Sequence, residues 1–162
     1  MSGELIQKRS EQMTSLFDRL VGAWELVSYR LVAEDQSVSY PFGKDASGFI
    51  LYTPDGYMSA QLMAADRAAY ASGHPNAGTT AEMSAAAAGY LAYSGPFLVD
   101  EATQTLKHTM AVSLFPNWVG DTQVRTCKLE GDSLTLSTGG PVSNRGFAAT
   151  PIVEWRRARR NH

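Results

Sequence analysis

Two residues with the greatest chemical capacity, His108 and Arg125, each fall on a face that is otherwise largely apolar. In the run Leu106 to Leu114, the even positions are Leu, His, Met, Val and Leu, and the odd positions are Lys, Thr, Ala and Ser. In the run Gln123 to Glu130, the face carrying Cys127 and Leu129 also carries Arg125. Side chains alternate faces along a strand, so both groups are expected to point inward. A histidine serves as general acid or base near neutral pH. A guanidinium holds a carbonyl or enolate oxygen. The plainer readings are a core histidine satisfied by a hydroxyl or backbone group, and a rim arginine whose stem covers apolar surface. Two such groups pointing into one interior favour a cavity.

Further polar and aromatic groups join them as candidate ligand contacts: Tyr52, Ser59, Gln61, Tyr93, Asn117 and Trp118. A few polar groups in an apolar lining are typical of small-molecule pockets. Ser59 and Gln61 share one face of their strand with Tyr57, while Met58, Ala60 and Leu62 share the other. Either face is compatible with the interior. Cys127 is a poor nucleophile candidate, because burial on an apolar face raises a thiol pKa, although Arg125 opposes this. No nucleophile elbow, P-loop or dinucleotide fingerprint occurs.

The elements that would position these groups are mostly strands. Ala23 to Val32 is rich in aromatic and β-branched residues and reads as a long strand. Gly48 to Thr53 and Tyr57 to Met63 flank Pro54-Asp55-Gly56, a hairpin signal. Strands are also expected at 97–100, 105–114, 122–130, 133–138 and 151–158, with a glycine-rich loop over 139–150. Residues 3–20 have helical spacing. Between Ala60 and Ala92 lie thirteen of the 21 alanines. Alanine has the highest helix propensity, so residues 64–92 read as a helical insertion. It has a short helix at 65–71 and another from Thr79, which with Glu82 forms a capping box, to Ala92. Tyr90 and Tyr93 would then share one helical face, and the insertion would act as a lid. Sheets of this many twisted strands tend to close and remove their edges. The expected fold is mainly β: one antiparallel barrel of eight or more strands over residues 21–158, after an N-terminal helix within residues 1–20 and before a tail at 159–162. A two-sheet sandwich is the alternative.

With 162 residues the chain has one domain's length. A net charge of -2 argues against general nucleic-acid binding. One cysteine and scattered histidines give neither a disulfide nor a metal site. No apolar run is long enough to span a membrane. The charged N-terminus does not read as a signal peptide. These features lead to the expectation of a cytoplasmic protein, monomer or homodimer, with no cofactor and with a small hydrophobic or aromatic ligand.

The ordered set of motifs resembles the bacterial and fungal lipocalin-like domain family. The resembling segments run from Leu20 through Gly22-Ala23-Trp24 to Ser28, from Tyr40 to Gly48, from Tyr52 through Pro54-Asp55-Gly56 and Met58-Ser59-Ala60 to Gln61, from Tyr90 to Gly95, and from Ser113 through Pro116-Asn117-Trp118 to Gly120, with His108, Arg125 and Trp155-Arg156-Arg157. The match spans roughly residues 20–158. It implies a lipocalin-type barrel with a central cavity, and a structural pair in which Arg157 covers Trp24 at the closed end. Related barrels in natural-product pathways include cofactor-free cyclases and isomerases. The expected activity is therefore a cyclase, isomerase or lyase acting in secondary metabolism through His108 and Arg125, with a non-catalytic carrier as the alternative.

Overall fold

The computed structural model describes residues 14–144 and 146–162. Eight strands close into one antiparallel barrel: β1 (Gly22–Ala33), β3 (Ser47–Tyr52), β4 (Tyr57–Met63), β5 (Tyr90–Asp100), β6 (Thr105–Thr109), β8 (Thr122–Glu130), β9 (Ser133–Ser137) and β11 (Phe147–Arg157). Closure is made by β11 returning to β1, in register from Trp24 opposite Arg157 to Ala33 opposite Ala149. Three short strands sit at the margins: β2 (Val38–Ser39) beside β1, β7 (Val112–Ser113) beside β5, and β10 (Val142–Asn144) beside β11.

The expected hairpin forms across Pro54-Asp55-Gly56, with Gly56 at φ 90°. Its inward face carries Met58, Ala60 and Leu62, all buried. Gly48 and Gly95 permit close backbone approaches. A Cβ on Gly48 would strike the carbonyl of Gln61, and one on Gly95 would strike that of Thr109.

Several boundaries differ from expectation. The segment 105–114 is two strands, because the chain turns at Met110. Met110 N donates to Asp121 O at 2.9 Å, Gly120 N to Met110 O at 2.8 Å, and Ala111 N to Ser94 O at 2.9 Å. Val112 and Leu114 therefore leave the inward face and are exposed. The glycine-rich stretch 139–150 contains β10 and the first part of β11. Pro151 is tolerated inside β11 because it lies between the segments that pair with β10 and with β9, where no donor is needed on that side. The alanine-rich insertion forms one helix, α2 (Thr80–Ala88), with Thr79 and Glu82 in a reciprocal capping box. Residues 65–71 are turn and irregular structure, and Tyr90–Ala92 already pair with β4.

The N-terminal helix α1 covers Leu16–Leu20, with Ser15 extended as its cap. The rest of the helix expected over 3–20 lies, apart from Thr14, outside the described residues. Glu101 accepts from the backbone N–H of Leu16 and Phe17, and Phe17 stacks on Phe97 with centroids 5.4 Å apart. Leu16 and Leu20 enter the core with Trp24, Ile50, Leu106, Leu134 and Trp155. Trp24 donates from Nε1 to Leu20 O at 2.8 Å, and the Arg157 guanidinium lies 4.1 Å over its ring. Arg157 also donates to the carbonyls of Val21 and Arg19. This end of the barrel is filled.

Candidate functional site

The other end is hollow. An inner cavity of ≈ 560 Å³ is lined by Tyr29, Leu31, Leu62, Leu91, Tyr93, Trp118, Gln123, Arg125, Leu136, Val153 and Trp155, among others. It shares Tyr29, Leu31, Leu91 and Trp118 with a wider outer hollow of ≈ 890 Å³ that reaches Glu34, Asp35, Tyr40 and Phe42. The inner volume is within the usual range for small organic ligands.

Arg125 reaches this cavity from β8, on the same face as Gln123 and the buried Cys127. Its guanidinium donates to the neighbouring Val124 carbonyl at 3.1 Å and to the Gln123 side-chain oxygen. Tyr93 is inward because its partner Ala60 is inward. Burial raises the Tyr93 phenol above its usual range, against the opposing charge and hydrogen bond of Arg125. Trp118 sits in the 3-10 turn Pro116–Trp118 and packs edge-on against Tyr93 at 5.8 Å and Phe115 at 5.6 Å.

His108 is placed differently. It is fully buried, and it is absent from the lining of both hollows. Its Nε2 is 3.0 Å from the Tyr52 hydroxyl, while Nδ1 has no partner among the described residues. Desolvation first, then the charge of Arg125, brings its pKa down to about 3. At neutral pH it is therefore uncharged and poorly basic, and the expected acid–base role near neutrality does not fit this environment. Tyr52 is buried with it, its phenol pushed well up by desolvation.

Ser59, Gln61 and Asn117 are outside the cavity. Ser59 and Gln61 lie on the outer face of β4, where Ser59 accepts from Ser94 at 2.7 Å and Gln61 accepts from the Tyr90 hydroxyl at 3.3 Å. Tyr90 also lies under the Arg67 guanidinium, 4.9 Å from centroid to Cζ. It is on the opposite strand face from Tyr93, so the two tyrosines do not share a face. Asn117 is exposed. The cavity contacts that the sequence reading missed are Tyr29, Gln123 and Trp155. Gln123 shares Arg125's parity and was available from it. Tyr29 was hidden by a bulge between Leu26 and Ser28, which shifts β1 by one residue and turns Tyr29 and Leu31 inward. Among the described residues, no three His, Cys, Asp or Glu side chains gather to hold a metal. Cys127 is buried and its thiol is pushed up to about 11 by desolvation.

The family model described as a lipocalin-like domain matches residues 21–158. The chain belongs to this family. It is similar to the 4'-hydroxy-3'-methoxypropiophenone carrier protein ppsC of Aspergillus oryzae, 35% identical over 106 residues, which is 62% of this chain and 96% of that one. A redesigned β barrel of known structure aligns over 91% of this chain and 98% of its own, with 12% identity and a TM-score of 0.44. The lipocalin-like architecture rests on the closed sheet itself and on the family match.

Proposed function

We propose that this lipocalin-like barrel is a carrier for a small aromatic organic molecule, held in the hollow end. The observation behind this reading is the make-up of the inner cavity. Its polar side chains include Tyr29, Tyr93, Gln123 and Arg125, and among the described residues no carboxylate or histidine lines it. The carrier relative supports the same ligand class, since its name specifies an aromatic ketone bearing a phenol. Such a molecule offers a flat apolar body for Trp118 and Leu91, and oxygens for Arg125 and the tyrosines.

A cofactor-free cyclase or isomerase of secondary metabolism is the second reading. Arg125 and Tyr93 lining one cavity favour it, since together they would polarise a carbonyl. Proton transfer would need a group other than His108. A cytoplasmic setting is part of this proposal; no helix among the described residues is long and apolar enough to cross a membrane.

Titration with 4'-hydroxy-3'-methoxypropiophenone tests the carrier reading. Quenching of tryptophan fluorescence, with the compound recovered unchanged, is the expected result. Conversion of the compound would favour the enzyme, and no binding of this or related aryl ketones would reject the carrier.

A further inference from the structure

Arg125 is a guanidinium facing the inner cavity without a counter-ion among the described residues. The ion pairs found join Arg30 to Glu154, Lys128 to Glu130, Arg156 to Glu25 and Arg157 to Asp132. Arg125 is in none of them. Its hydrogen-bond partners, the Val124 carbonyl, the Gln123 amide and the Tyr93 phenol, are neutral. The groups on neighbouring elements that feel its charge are Tyr29 on β1, Tyr52 on β3, Tyr93 on β5 and His108 on β6, all neutral side chains. The acidic residues of the hollow end, Glu34 and Asp35, line its outer part and not the inner cavity.

A second observation concerns Trp155 on β11. It is 2% exposed and lines the same cavity, and its indole N–H has no partner among the described residues. That nitrogen has almost no accessible surface, so a ligand reaches it only if the ring moves. The cavity thus holds a positive charge with no negative partner among the described residues. A charge in a low-dielectric site attracts its counter-charge more strongly than it would in water.

We infer that the cavity takes its ligand as an oxyanion, the ionised form of an acidic phenol, enol or carboxylic acid, with the negative oxygen on Arg125. The inference rests on the carrier reading above and narrows its ligand class. A neutral analogue of the same shape would fill the cavity but leave the guanidinium uncompensated.

The test uses two probes of nearly equal shape, 4-nitrophenol and its methyl ether 4-nitroanisole. Only the first can ionise, and its phenolate has a separate visible absorption band. With the protein in excess, bound 4-nitrophenol is expected to ionise at a pH lower than that of the free compound by about one unit or more, because a charged hydrogen bond contributes roughly a ten- to hundredfold preference. Arg125→Gln is expected to abolish the shift while retaining 4-nitroanisole binding, measured by tryptophan quenching. Over about pH 5 to 9 the protein groups facing the site do not interfere, since burial pushes the tyrosines upward and His108 stays neutral to about 3. If both probes bind and the phenol ionises at its free pH or higher, the oxyanion assignment is overturned and the carrier reading stands. If neither probe enters, the oxyanion assignment falls, and the aryl-ketone titration above decides the carrier reading on its own. If Arg125→Gln does not fold, the wild-type titration alone decides.

Discussion

The Tyr52 hydroxyl and His108 Nε2 are 3.0 Å apart inside the barrel wall, a neutral pair sealed from the cavity. The pair sets a pH limit. His108 has a pKa of about 3 in the fold and near 6.5 when unfolded. Between those values the unfolded chain binds a proton that the native chain refuses, so stability falls as pH falls. The loss is on the order of 1 kcal/mol per pH unit below about pH 6.5, and it is complete near pH 3. Urea midpoints of wild type and His108→Leu, measured from pH 7 to pH 4, should converge as pH drops. Parallel pH dependences in the two proteins would contradict the buried neutral assignment.

At the filled end, Arg157 combines a stack on Trp24 with donations to the carbonyls of Arg19 in α1 and Val21 just after it. Arg157→Leu keeps apolar bulk and removes all three, together with the ion pair to Asp132. The expected cost is about 2 kcal/mol, seen as a lower urea midpoint. Affinity for an aryl ketone should stay within about twofold, because Arg157 does not line the cavity.

Gly95 lets β5 cross the backbone at Thr109 and Ala111, where a Cβ would overlap the Thr109 carbonyl. Gly95→Ala should cost roughly 3 kcal/mol or more, since neither backbone can yield without breaking its ladder. Thermal unfolding measures this. A midpoint within a degree of wild type would mean that the crossing has slack.

Trp118 bridges the inner and outer hollows. Trp118→Ala should weaken aryl-ketone binding about tenfold through lost aromatic contact, with a small effect on stability because its 3-10 turn lies at the rim. Calorimetric titration would detect the change. Unaltered affinity would place the ligand elsewhere.

The barrel was legible because its strands alternate and its turns are marked by glycine and proline. The capping box at Thr79 and Glu82 and the hairpin at Pro54-Asp55-Gly56 are local signals, satisfied by residues a few positions apart. The inward course of Arg125 was legible for the same reason. Failures arose where a distant backbone decides. The turn at Met110 depends on Ser94, Gly120 and Asp121, and it reversed the parity expected for Val112 and Leu114. The β1 bulge hid Tyr29. The two-sided strand β4 has a polar face that reads as either interior or exterior, and only its partner β5 excludes Ser59 and Gln61 from the cavity. His108 was correctly placed on the inward face, but burial depth has no sequence signature, and depth removes its basicity.

The plug formed by α1, Trp24 and Arg157 makes the barrel a cup with a single rim. A molecule that enters it leaves by reversing its path, so the end that goes in first comes out last. If the barrel is the carrier proposed above, whatever receives its ligand would meet the end left beside Trp118.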